Sequence, residues 1–174
     1  MRVIGGEFRS RVLKSVPGME VRPTPDRLRE ALFNVLVPRI TGSVFADLYS
    51  GTGAVGIEAL SRGAARAIFV ENNRAALRVI QENLRSLGLE DRVEIRKGRA
   101  VTLLDGLSAG IVFLDPPFSA EHEYRTTLTR LGEQPPLLVI AQHSPRTGLA
   151  DSYGGLHRMR VLKQGDNVLT FYEP

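Results

Sequence analysis

The chain has 174 residues, 43% of them hydrophobic and 24% charged, with 17 Gly, 10 Pro and no Cys, a composition that suits one domain able to bury its own core. Without cysteine there is no disulfide framework, thiolate zinc site or cysteine nucleophile, and three scattered histidines (His122, His143, His157) make a metal centre a poor expectation. The formal charge is +4 and uneven: residues 1–40 carry eight basic side chains against four acidic ones, whereas 41–174 carry fifteen of each.

No window reaches the roughly 18 consecutive apolar residues of a membrane span, and the start Met1-Arg2-Val3-Ile4-Gly5-Gly6 lacks the apolar stretch of a signal peptide. The expectation is a cytoplasmic protein. Twenty of the 23 basic residues are Arg, whose planar fork suits phosphate and base contacts. A basic N-terminal face toward nucleic acid is one reading and an ordinary solvated surface the other.

Arg2-Val3-Ile4 and Arg11-Val12-Leu13-Lys14 flank Gly5-Gly6 and a basic stretch, and predict a small β-hairpin. Arg22-Pro23-Thr24-Pro25-Asp26 follows, with Thr24 as a helix cap and Pro25 in the first helical position. Leu28, Ala31, Leu32, Val35 and Leu36 then recur at helical spacing and predict a helix of about three turns.

From residue 44 short apolar runs (44–46, 67–70, 93–95, 111–114, 137–141) alternate with helical stretches, the clearest being Ala76, Leu77, Ile80, Leu84 and Leu87, ended by Gly88. The alternation predicts an α/β protein with a parallel sheet. Residues 156–163 and 168–172, joined by Gln164-Gly165-Asp166-Asn167, read as a terminal antiparallel hairpin, for seven strands in all. The expected division is a basic arm over 1–40, hairpin and helix, appended to a body over 41–174.

After the first strand comes Asp47-Leu48-Tyr49-Ser50-Gly51-Thr52-Gly53-Ala54-Val55-Gly56, and Glu71 ends the second strand twenty residues beyond Gly51. This spacing satisfies the dinucleotide-binding fingerprint: glycines let a ligand approach the backbone, and the acid can bind both ribose hydroxyls. Asp47 discriminates between ligands. It would repel a pyrophosphate and attract the ammonium of a methionine-like tail, which favours S-adenosylmethionine over a nicotinamide dinucleotide. The bland alternative is that Asp47 caps the following turn.

The fourth strand ends in Asp115-Pro116-Pro117-Phe118, on the sheet edge where open α/β folds bind ligands. An exocyclic amine is a poor nucleophile because its lone pair is delocalised into the ring. Asp115 and the Pro116 carbonyl can accept its two N–H bonds and bias nitrogen toward a tetrahedral form. Phe118 can stack on a planar base, worth about 1–3 kcal/mol, while Pro117 stiffens the turn. Alternatively, the segment is a strand-ending turn with a buried Phe.

Together these residues resemble the class I S-adenosylmethionine-dependent methyltransferases that act on exocyclic nitrogen. More narrowly, Arg2-Val3-Ile4-Gly5-Gly6 with Arg9 and Arg11, the stretch from Arg22 through Asn34, and Gly56-Ile57-Glu58-Ala59-Leu60-Ser61-Arg62-Gly63 resemble the RsmD-type 16S rRNA guanine-N2 methyltransferases. The resemblance implies a Rossmann-like class I methyltransferase fold, S-adenosylmethionine as cofactor, and one guanine in the helix 31 loop of small-subunit 16S rRNA as substrate, methylated during ribosome assembly; the expected partner is 16S rRNA, naked or within a small-subunit particle, and the default expectation is a monomer. It implies Asp47, Ser50, Gly51 and Gly53 around the cofactor tail, Glu71 and Asn72 at the ribose, Arg99 and Ala100 near the adenine, and Asp115 through Phe118 at the target base. Arg9, Arg11, Arg22, Thr24, Arg27 and Arg29 fall on the RNA side, although Arg27 is also placed to pair with Glu30.

Two positions depart from the family pattern. Gly98-Arg99-Ala100 lacks the acid or amide that commonly meets adenine, leaving the Ala100 backbone N–H as the candidate. Ala141-Gln142-His143-Ser144 after the fifth strand lacks the family's acid, and His143 reads as a surface residue near the rim or an RNA contact. An adenine-N6 or other exocyclic-amine methyltransferase, and a non-catalytic RNA-binding assembly factor, are the alternatives.

Overall fold

The computed structural model describes residues 1–17, 24–117 and 120–174. Five apolar runs form parallel strands β1 (Val44–Leu48), β2 (Arg66–Glu71), β3 (Val93–Lys97), β4 (Ile111–Leu114) and β5 (Leu138–His143). Strands β6 (Ser152–Tyr153), β7 (Leu156–Gln164) and β8 (Asn167–Glu173) are antiparallel. The sheet order is β3-β2-β1-β4-β5-β8-β7-β6. It therefore has eight strands rather than the expected seven; the extra one, β6, is two residues long and too short to leave a periodic signal.

Strand β1 pairs with β2 on one side and β4 on the other, so the order reverses there and opens a crevice at the carboxyl edge of the sheet. β4 and β5 are buried along their whole length, which is why they read as unbroken apolar runs rather than alternating ones. Helices α1 (Asp26–Ile40), α2 (Ala54–Ser61) and α3 (Arg74–Leu87) cover one face, and α4 (Glu121–Glu133) covers the other. In α3, the Asn73 side chain accepts from the N–H groups of Ala75 and Ala76, and Gly88 ends the helix at φ 64°.

Helix α1 is a layer of this domain. Leu28, Leu32, Phe33, Leu36 and Ile40 share one core with Phe45, Phe113, Ile140 and Phe171 of the sheet, so residues 26–40 do not stand apart as an arm. Thr24 does not cap it: Pro25 occupies the cap position with no side-chain bond, and the Thr24 hydroxyl lies 3.2 Å from Gln142 Oε1. The tertiary partner outcompetes the local one.

The N-terminal strands make a small antiparallel pair through the Arg2–Val12 bridge. They are fastened to α2 by Glu58, whose buried carboxylate accepts the N–H groups of Ile4 and Gly5 at 2.8 and 2.9 Å and Arg62 Nε at 2.7 Å. Gly6, at φ 77°, lies so close to Ser61 that a Cβ would meet its carbonyl oxygen at 1.9 Å; this docking requires glycine.

Arg29, expected on the RNA side, is fully buried beside Glu58. Its Nη2 donates to the Arg2 carbonyl at 2.6 Å and to Asp26 at 3.0 Å, and its Nε lies 3.9 Å from Glu58 Oε2. Burial holds its pKa below the usual guanidinium value. It is an internal strut that joins α1 to the N-terminal strand, with no surface to offer RNA.

Removing Glu58 would orphan two backbone donors and leave the Arg29 charge uncompensated. Glu58→Ala is expected to cost about 3–5 kcal/mol of stability, measured by urea unfolding, and to expose residues 1–16 to limited proteolysis.

Candidate active site

A cavity of about 660 Å³ opens at the crevice, lined by residues from the ends of β1, β2, β4 and β5 and by Thr24. A larger depression of about 1260 Å³ lies at the opposite edge of the sheet and contains none of the expected site residues. The smaller cavity brings together Asp47, Ser50, Gly51, Glu71, Asn72, Arg99, Ala100, Asp115, Pro116 and Pro117. Its volume is that of a small-molecule site.

Between β1 and α2 the chain turns sharply, with Tyr49, Gly51 and Gly53 at φ 63°, 56° and 80°, the region glycine tolerates best. Gly56 packs α2 tightly on β2: a Cβ there would lie 2.4 Å from the Phe69 ring. Ser50 Oγ donates to the Asp47 carbonyl at 2.6 Å, so it shapes the loop from inside.

Asp47 does cap the following helix: its Oδ2 accepts the Gly56 N–H at 2.9 Å. It also lines the cavity, so capping and facing a ligand coexist. Burial, only partly offset by that bond, pushes its pKa well above the ordinary carboxylate range, with Asp115 and Glu71 adding repulsion.

Glu71 does more than end β2. Its Oε2 accepts the Gly51 N–H at 2.8 Å, and its Oε1 accepts the N–H groups of Asn72 and Asn73 at 2.9 and 2.8 Å. The carboxylate thus pins the glycine loop to β2, a role the spacing did not reveal, and its remaining acceptor capacity faces the cavity.

Arg99 Nη2 meets Glu123 Oε1 at 2.7 Å, and Glu123 Oε2 accepts the Tyr49 hydroxyl at 2.8 Å. Burial alone would raise Glu123, but the bonds from Arg99 and Tyr49 outweigh it and hold its pKa below the usual value. Sequence reading missed Glu123 and Tyr49, because the bridge joins three segments distant in the chain.

Asp115 follows β4 and makes no hydrogen bond or ion pair among the described residues; burial pushes its pKa up to about 7. The Pro116 carbonyl receives only a long contact of 3.5 Å from the Tyr124 hydroxyl, which bonds chiefly to the Gln142 carbonyl at 2.7 Å. Two acceptors therefore stand side by side at the cavity wall. Phe118 and Arg22 lie outside the described residues.

Of the other residues expected on the RNA side, only Thr24 reaches the cavity. Arg9 sits on the turn docked against the end of α2, and Arg11 Nη2 is 3.4 Å from the Ser86 carbonyl near the end of α3, both at the edge away from the cavity. Arg27 is exposed and makes no ion pair with Glu30 within 4 Å. His143 is neither a surface residue nor placed for RNA: its ring is buried between Thr170 Oγ1 and the Ser144 carbonyl, each at 2.8 Å, and burial lowers its pKa.

A parallel sheet that reverses order at β1, a glycine loop under an acidic strand end, a ribose-spaced carboxylate and an Asp-Pro-Pro turn on one cavity define a Rossmann-like, S-adenosylmethionine-dependent methyltransferase. Over residues 1–173 the chain matches the family described as Conserved hypothetical protein 95, and it belongs to that family. It is 33% identical over 182 residues to the putative rRNA methyltransferase YlbH of Bacillus subtilis, covering 99% of this chain and 98% of that protein. It is 41% identical over 119 residues to ribosomal RNA small subunit methyltransferase D of Escherichia coli, where the alignment spans 68% of this chain and 60% of that protein. The solved structure of the putative methyltransferase yhhF from Escherichia coli superposes with a TM-score of 0.88 at 32% identity, covering 99% and 97% of the two chains.

The residues present fit S-adenosylmethionine. Asp47 suits an ammonium, the loop glycines admit a close backbone contact, and Glu71 suits a diol. Glu71→Ala, which frees three backbone donors, is expected to weaken S-adenosylhomocysteine binding at least tenfold, or roughly 1.4 kcal/mol by calorimetry.

Asp115 gives a stability signature. Its folded pKa of about 7 lies above the ordinary aspartate value of 3.8, so its contribution is present at low pH and lost as pH rises through about 7. Asp115→Asn is expected to raise the ligand-free Tm at about pH 8 by roughly 3 °C, with the gain vanishing toward about pH 4.

Proposed function

We propose that this enzyme transfers the methyl group of S-adenosylmethionine to the exocyclic N2 of a guanine in small-subunit 16S rRNA, in the helix 31 loop. The observation that carries the reading is the Asp115 carboxylate, without a partner among the described residues, beside the Pro116 carbonyl on the same cavity as Asp47 and Glu71. The names of the Bacillus and Escherichia relatives support rRNA as the substrate.

Bound S-adenosylmethionine supplies an electrophilic methyl group on a sulfonium. Asp47 and the glycine loop hold the amino-acid tail, and Glu71 with Asn72 orients the ribose. Asp115 and the Pro116 carbonyl accept the two N–H bonds of the amine, which turns its lone pair toward the methyl group. Positioning of this kind accounts for most of the rate. After transfer the acidified amine loses a proton to Asp115 or to water. Pro117 stiffens the turn, and Phe118 is the face proposed to stack on the base.

The target must leave its stack to reach the cavity, and a loop nucleotide costs less to extract than a paired one. The proposed form of the substrate is 16S rRNA within an assembled small-subunit particle. The same reading makes the enzyme a cytoplasmic monomer that contacts RNA through Thr24, Arg27 and Arg22, with Arg9 and Arg11 on more distant rRNA.

The test is transfer of labelled methyl to small-subunit particles and to naked 16S rRNA lacking the modification, followed by nucleoside mass analysis. N2-methylguanosine that disappears with Asp115→Ala is expected; label in another nucleoside would overturn the guanine reading. Because the carboxylate form accepts the amine, kcat/KM is expected to rise about tenfold per pH unit below an inflection near 7.

A further inference from the structure

We propose that Gln142, its amide oriented by Thr24, reads the edge of the target base next to the amine held by Asp115, and so selects guanine. The inference rests on the guanine-N2 reading above and names the residue responsible for the choice of base.

Strands β4 and β5 are parallel neighbours in which Leu114 is in register with Ala141. The next residues, Asp115 just past the end of β4 and Gln142 still within β5 and paired with Leu169 of β8, therefore fall side by side, about 4.8 Å apart as adjacent strands are. Both line the cavity. That separation is comparable to the width of the Watson–Crick edge of a purine, so a base whose amine sits on Asp115 presents its neighbouring atoms to Gln142.

Gln142 is 3% exposed, and among the described residues its side chain is committed only to the Thr24 hydroxyl, 3.2 Å from Oε1. Its Nε2 makes no hydrogen bond among the described residues, and the residue lines the cavity. The strand end itself is anchored independently, because the Gln142 carbonyl accepts the Tyr124 hydroxyl at 2.7 Å.

Beside N2, guanine carries a donor at N1 and an acceptor at O6. A carboxamide matches that pair, with Oε1 accepting the N1 proton and Nε2 donating to O6. A 6-aminopurine carries the reverse pattern, an acceptor at N1 and a donor at C6. A free amide would turn over and serve either base. The Thr24 hydroxyl donating to Oε1 stabilises one sense of the amide, and the wrong purine then leaves buried polar groups unpaired.

The test uses RNA carrying guanine or 2,6-diaminopurine at the methylated position; both bases have the N2 amine, and only the neighbouring pattern differs. The wild-type enzyme is expected to favour guanine at least about 100-fold in kcat/KM, as a good two-bond contact allows. Gln142→Leu is expected to cut that ratio about tenfold or more, with S-adenosylhomocysteine affinity kept within about twofold of wild type. Thr24→Val, a substitution at a less buried position, is expected to lower the ratio several-fold whatever its effect on the absolute rates, and it carries the test if the first variant fails to fold.

Equal losses on both bases, or an unchanged ratio in the folded variants while guanine is still methylated, would overturn the role of Gln142 and leave the guanine reading standing. Absence of N2-methylguanosine from the wild-type reaction would overturn both.

Discussion

The buried carboxylate of Glu58 is the constraint on which the layout of this protein depends. It binds the backbone of Ile4 and Gly5, ion-pairs with Arg62, and lies beside the buried Arg29 of α1. One side chain on α2 thereby sets the positions of the N-terminal strand pair and of α1 relative to the glycine loop that begins the same helix. Arg29 transmits the constraint: by holding Arg2 and Asp26 it fixes the start of α1, and Thr24, two residues earlier, is kept against the end of β5. A buried ion pair is poor evidence for net stability, yet breaking one is costly, so this arrangement secures position more than it adds free energy.

At the other end of α2 the chemistry is set by repulsion. Asp47, Glu71 and Asp115 converge on one cavity, and none pairs with a basic side chain within 4 Å among the described residues. Backbone N–H groups partly compensate Asp47 and Glu71, while Asp115 has no such partner among the described residues. A cavity of this kind favours a cationic ligand and disfavours phosphate. The carboxylate proposed to hold the target amine is the least compensated of the three, which is the stability cost that functional sites commonly carry.

The sequence made some of this architecture plain and concealed other parts for identifiable reasons. Strands buried on both faces, such as 111–114 and 138–143, announced themselves as apolar runs, and α3 showed both its apolar face and its terminal glycine. Gly51, Gly53 and Gly56 were legible because glycine meets the loop's left-handed angles most readily and leaves room for the approach to Phe69. Arg29 was misread because an arginine in a basic segment looks like surface; nothing local marks the carboxylate that waits for it 29 positions later. His143 was misread for the same reason, since Thr170 reaches it from a neighbouring strand. Thr24 looked like a cap because the local grammar of Thr-Pro-Asp is a cap's grammar, and a partner on β5 overrode it.

By itself the sequence determined the α/β class, the succession of five parallel strands and a terminal hairpin, the glycine loop with its two acids, and the Asp-Pro-Pro turn. These depend on periodicity, backbone conformation and short-range chemistry, which are local. Only the tertiary structure decided that α1 belongs to the core, that Glu71 pins the loop, that Glu123 bridges Tyr49 and Arg99, and that Gln142 stands beside Asp115. Each of those is a meeting of residues far apart in the chain, and such meetings follow from strand register and helix packing, which no local pattern encodes.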